Sequence, residues 1–284
     1  MTMKKELGLV LAGGGGKGAY QIGVWKAARE LGIDKMVTAV SGASVGALNA
    51  ALFANGSYEE AEKIWLELTP EKILTPRETV FEAFGDAVHT AVKGIENPDT
   101  LVSAVIRKAA EGIWSRHGLE DIIDKYVDLE KISASDIQTF ASCTSLSSVE
   151  TKYFRLNGLP PDEIKKILIA SSAIPIVFPN QKIEEDVYID GGVLGREGNV
   201  PVQPLYDAGY RNIIIIYLSE RDRIDKSLFY GADITEIVPR TGLGSFVDGT
   251  LDFSPRGAKA RLFQGYQESL AAFEKMAGKT TQSL

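Results

Sequence analysis

Histidine is scarce in this chain, with only His89 and His117 among 284 residues. That scarcity matters because imidazole is the usual base in serine-dependent chemistry. Cysteine is scarcer still. Cys143 stands alone, so no disulfide can form within the chain, and its place in the predicted strand "FASCTSL" reads as that of a buried structural thiol. No run of eighteen apolar residues occurs, which excludes a spanning helix. There is no basic block either, and the formal net charge is −7. That balance argues against nucleic acid as a partner and against tight attachment to anionic membranes, while transient contact with a membrane surface remains compatible with it. No linker rich in Pro, Gly or Ser divides the chain, and no repeat is visible.

What is present is ordinary for a globular protein with a sizeable core, at 44% apolar and 24% charged residues. The opening "MTMKKELGLVLAGGGGKG" puts two lysines before an apolar run, as a signal peptide would. That run is short and passes into glycines rather than a cleavage site, so it reads as the first core strand of a cytoplasmic protein. Strand patterns at 7–12 and 35–42 alternate with helix patterns at 18–33 and 44–54, which predicts a parallel, layered α/β sheet. From 57 to about 127 the pattern is helical throughout, with an apolar stripe of Phe81, Phe84, Val88 and Val92. Strands return at 138–146, 150–156, 186–190, 211–220 and 234–239. A helix with proline in its first turn spans 161–174, and a long last helix covers about 256–277. The expected architecture is one α/β domain over 1–284, a mainly parallel central sheet flanked by helices, with a helical insertion near 70–117.

"GASVG" places Ser44 between Gly42 and Gly46, after a predicted strand and before a predicted helix. This is the pattern of a serine nucleophile on a tight elbow, where a side chain at 42 or 46 would collide with the strand or the helix. "AGGGGKG" likewise follows a strand and opens a helix, and three readings of it compete. A Walker loop fails, because Leu11 stands where its first glycine belongs and Gly18 where its Ser or Thr belongs. A dinucleotide fingerprint matches at Gly13, Gly15 and Gly18 but lacks an acid at the end of the second strand, which carries Ser41. An oxyanion hole is the third, and the elbow one βα unit later favours it; the Val45 N–H would add a further donor.

Neither histidine suits the role of base. Both lie in the helical insertion rather than at a strand end, and His89 falls beside the apolar stripe of its helix. A carboxylate at a strand end is the better candidate, and "YIDGG" supplies Asp190, although a lone Asp-Gly is also a common way to end a strand.

The pieces "GGGGKG", "GASVG", "ASSAIPIVFP" and "DGG", followed by "GNVPVQPLYDAGYRNIIIIYLS", resemble the patatin-like phospholipases from about residue 7 to at least 220. The resemblance implies a three-layer α/β fold with Ser44 as nucleophile and Asp190 as its direct partner in a Ser–Asp dyad. Gly14, Gly15 and Gly16 would be oxyanion donors, and no histidine, metal or cofactor would be needed. Where this family usually has Asp or Gly the chain has Ala12; Lys17 matches the family's Arg or Lys, without a chemical role assigned. The implied activity is hydrolysis of phospholipids, lysophospholipids or related lipid acyl esters. The alternative is a catalytically silent relative that binds lipid or protein. Apolar "AIPIVFP" and the Phe-bearing segment 77–95 fit an acyl channel or a lipid-facing surface, and fit core packing equally well.

Overall fold

The computed structural model describes residues 7–73, 75–76, 114–174 and 177–281. The stripe at Phe81–Val92, His89 and most of the expected insertion lie outside the described residues.

Strand β1 (Leu7–Leu11) lies at the centre of the main sheet and pairs in parallel with β2 (Val37–Ala43) on one side. All five of its residues are buried, as expected for a strand covered on both faces. Leu7, Leu9 and Leu11 join the larger apolar core with helices α1 (Ala19–Glu30) and α2 (Val45–Asn55). Val10 points the other way, into a second core with Leu205, Ile213 and Ile215. The chain continues through α3 (Tyr58–Glu67) to a two-residue strand, β3 (Thr75–Pro76), which pairs antiparallel with β4 (Trp114–Ser115). The stretch expected to be helical throughout therefore contains a short strand pair. It brings the chain back beside the point where it left, and α4 (His117–Tyr126) follows.

β5 (Gln138–Ser145) adds to β2 in parallel. Beyond it the sheet reverses, because β6 (Glu150–Arg155) follows β5 through a turn too short for a parallel crossover. α5 (Pro161–Ser171), β7 (Gln181–Ile183) and β8 (Asp186–Asp190) come next, with β7 and β8 joined by a tight turn in which Glu184 has φ 52°. β8 pairs antiparallel with β5. On the other side of β1, β9 (Asn212–Ile216) and β10 (Asp233–Ile237) are parallel. The sheet thus has eight strands and is mixed, parallel at its centre and antiparallel at the β5–β8–β7 side. β7 has no sequence signature: three residues are too few to show alternation.

Helix α6 (Pro255–Thr281) closes the described chain and lies against α1. The backbones touch at two glycines, since a Cβ on Gly23 would stand 1.9 Å from Leu262 O and one on Gly265 would stand 2.1 Å from Tyr20 O. Among the described residues no helix is long and apolar enough to cross a membrane.

Candidate active site

Three turns meet at the carboxyl ends of the parallel strands, where open α/β sheets collect their ligands. The first joins β2 to α2. Ser44 sits there alone between strand and helix, with φ 53° and ψ −127°, a backbone state that costs a non-glycine residue about 1–3 kcal/mol. Its surroundings hold it in place. The Ser44 N–H donates to Ser171 Oγ at 2.9 Å, and its carbonyl accepts from Ala47 and Leu48. The flanking glycines are sterically required, because a Cβ on Gly42 would lie 2.1 Å from Gly46 O, and one on Gly46 would lie 2.1 Å from Leu11 O. The Ser44 side chain is nearly buried yet faces a cleft.

The second turn follows β8. Asp190 is buried, pairs with Cys143 across β5, and donates its own N–H to Ala173 O at 3.0 Å. Its Oδ1 accepts from Gly192 N–H at 2.8 Å. Its Oδ2 is buried with no partner in good hydrogen-bond geometry. Burial pushes the carboxyl up to about 6, against the opposing pull of the Ser44 hydroxyl and the Gly192 N–H. The Ser44 hydroxyl thus interacts with this carboxyl, but loosely. Cys143, directly beside it, is buried in apolar surroundings that push its thiol far up, so it stays neutral.

The third turn is the glycine loop after β1. Gly13, Gly14 and Gly15 line the same cleft as Ser44 and Asp190, a space of about 320 Å³. Gly13 spends its N–H on Asn199 O at 3.0 Å. The N–H groups of Gly14, Gly15 and Val45 meet no protein acceptor among the described residues. Gly15 needs its glycine twice over, having φ 57° and lying where a Cβ would be 2.1 Å from Thr250 O. Gly16 sits one residue back, pressed against Asp252 O rather than facing the cleft. Behind the loop, a buried chain of side chains ties it to α2. Gln21 donates to Ala12 O at 2.8 Å, while Asn49 donates to Gln21 Oε1 at 2.7 Å and to Gly18 O at 3.1 Å.

Asn199 and Asp222 also line the cleft and had no role assigned from the sequence. Asn199 holds Asp222 at 3.0 Å, and Lys17 stands near Asp222 and Asp248. Burial lowers the Lys17 ammonium and raises the Asp222 carboxyl, each partly offset by the other's charge. Asn199 falls within the quoted "GNVPVQP", whereas Asp222 lies in a charged loop that carried no signal. Ile174, from "AIPIVFP", and Leu218 complete an apolar wall. Ser41, at the place where a ribose-holding acid would stand, is buried and bonds Pro201 O.

His117 lies away from all of this. It starts α4 with its side chain 81% exposed and its Nδ1 3.4 Å from Glu120. Among the described residues no cluster of three or more His, Cys, Asp or Glu could hold a metal ion.

Lysophospholipase nte1 of Aspergillus terreus is 48% identical over 50 residues, covering 18% of this chain and 3% of its own length. Lysophospholipase NTE1 of Cryptococcus neoformans is 22% identical over 221 residues, which is 77% of this chain and 11% of that protein. The chain therefore spans about a tenth or less of the length of these curated relatives. Among solved structures, VipD from Legionella pneumophila superposes with a TM-score of 0.47 at 14% identity, covering 95% of this chain and 67% of that one. The type III effector protein ExoU gives 0.47 at 17% identity, covering 96% and 53%. The profile described as patatin-like phospholipase matches residues 9–206, from β1 past the Asp190 turn, and on that match this chain belongs to the patatin-like phospholipase family.

Proposed function

We propose that the chain is a lipid acyl hydrolase in which Ser44 is the nucleophile and Asp190 its base. The observation that carries this reading is the unpartnered Oδ2 of a buried carboxyl, with its pKa raised, on the same cleft as a serine held in a strained elbow. Ser44 Oγ attacks the carbonyl carbon of an acyl ester while Asp190 Oδ2 accepts its proton. The tetrahedral oxyanion is met by the N–H groups of Gly14, Gly15 and Val45, each donor being worth about 10²–10³ in rate. Gly16 supports the loop from behind. Asp190 returns the proton to the departing alcohol, then activates the water that releases the acyl group from Ser44. Ordinary aspartate, near pKa ~3.9, is too weak a base for this, and desolvation supplies the needed rise.

The substrate class in this reading is a phospholipid or lysophospholipid. Support comes from the family and from the names of the two fungal relatives, together with the apolar wall at Ile174 and Leu218. The test is covalent labelling by a fluorophosphonate with hydrolysis of a panel of acyl esters. Ser44→Ala should lose the label and the activity. A protein that binds lipid without chemistry would leave the probe unreacted.

A further inference from the structure

We infer that the turn at Phe246–Val247 docks the mouth of the cleft onto a zwitterionic lipid surface. The inference rests on the proposed hydrolysis of lipid esters and names the surface from which substrate would enter. Phe246 and Val193 both line the cleft and remain 53% and 43% exposed, and Val247 beside them is 74% exposed. Together they form an apolar rim continuous with the candidate site.

The turn is built to keep Phe246 and Val247 outside. Thr250 N–H bonds Ser245 O at 3.0 Å, and Leu251 N–H bonds Phe246 O at 2.9 Å. The Asp248 carboxylate accepts from both the N–H and the hydroxyl of Ser245. From beneath, the nearly buried guanidinium of Arg261 bonds Leu243 O at 3.2 Å and Asp248 O at 2.8 Å, one on each shoulder of the turn. A locked loop cannot fold its apolar tip inward, so burial of that tip needs an external apolar phase. Lipid suits it for two reasons. The rim opens into a cleft read as an acyl-ester site, and two or three side chains are too few for a stable protein interface. Asp248 at the tip and the net charge of −7 favour a zwitterionic surface over an anionic one.

The test uses Ser44→Ala protein, which cannot consume lipid, floated with phosphatidylcholine vesicles. Adding Val247→Asp should weaken vesicle binding at least tenfold. Leu228→Asp, a change at a 62% exposed residue near the start of β10 and so at the other end of the sheet, should leave binding unchanged. In the active protein, Val247→Asp should keep the rate on a monomeric short-chain ester and lose the rise seen above the ester's micelle concentration. Equal binding of the parent and Val247→Asp, binding only to vesicles containing phosphatidylglycerol, or a Val247-dependent dimer without vesicle binding would each overturn the inference. Val247-dependent vesicle binding with no ester hydrolysed by any form would support it and instead defeat the proposed reaction.

Discussion

Ser44 and Asp190 reach one cleft from opposite constructions. The elbow is fixed by backbone. It has a positive φ, an N–H bound to Ser171, and two glycines pressed against carbonyl oxygens. The aspartate carboxyl is held more lightly, by Gly192 N–H on one oxygen, while the other is buried with no partner in good hydrogen-bond geometry. The difference follows from what each group is proposed to do. A nucleophile has to be aimed, and stored strain does that; a weak base has to be strengthened, and loss of water does that.

The sharpest way to break this comparison is to delete each partner. Ser44→Ala and Asp190→Asn should each lower kcat/KM on an acyl ester by about 10⁴ or more. An Asp190→Asn protein retaining a tenth of the activity would remove the aspartate from its role as base. Next in size is the steric contrast between the two turns. Gly46→Ala drives a Cβ into backbone and should cost about 3 kcal/mol in denaturant unfolding. Gly192→Ala should cost about 1 kcal/mol, because its nearest obstacle at 2.6 Å is the Asn199 side chain, which can move.

Desolvation also leaves a signature in stability. The folded pKa of Asp190, about 6, exceeds the ordinary 3.8, so the folded state holds this proton more tightly than the unfolded chain does. The contribution is complete below about pH 4 and is lost as pH rises through about 6. Asp190→Asn should therefore stabilise the fold by up to about 3 kcal/mol at pH 8 and by almost nothing at pH 4, as read from thermal or urea melts. The same titration predicts that kcat/KM rises about tenfold per pH unit toward about 6 and then levels. The smallest effect belongs to imidazole. His117→Ala, alone or with His89→Ala, should leave ester hydrolysis within about twofold of the parent. A large loss in a folded double variant would end the two-residue reading.

The parallel centre of the sheet was legible because β1 and β9 are buried on both faces and so appear as nearly continuous apolar runs, and because β2, though it carries Thr38 and Ser41, keeps Val37, Ala39 and Val40 ahead of its glycine turn. The elbow was legible for a related reason, in that only glycine fits at 42 and 46. β7 was not, being three residues long, nor was the β3–β4 pair inside a stretch whose periodicity reads as helix. The arch at 241–252 was also silent. Its apolar residues, Leu243, Phe246, Val247 and Leu251, are scattered among Gly, Ser, Thr and Asp, and nothing in their order says that Thr250 backs the glycine loop or that Phe246 rims the cleft.

Order along the chain, by itself, carried the family and the strand–turn–helix setting of Ser44, and it pointed to a carboxylate rather than an imidazole as the proposed base. These depend on local sterics and on which residue types are present at all. Tertiary structure alone decided that Asp190 Oδ2 is buried without a partner, that Gly15 rather than Gly16 faces the cleft, and that Arg261 holds an apolar tip outward. Such properties arise from what surrounds a group in three dimensions, and residues as far apart as Gly16 and Arg261 become neighbours only when the sheet is assembled.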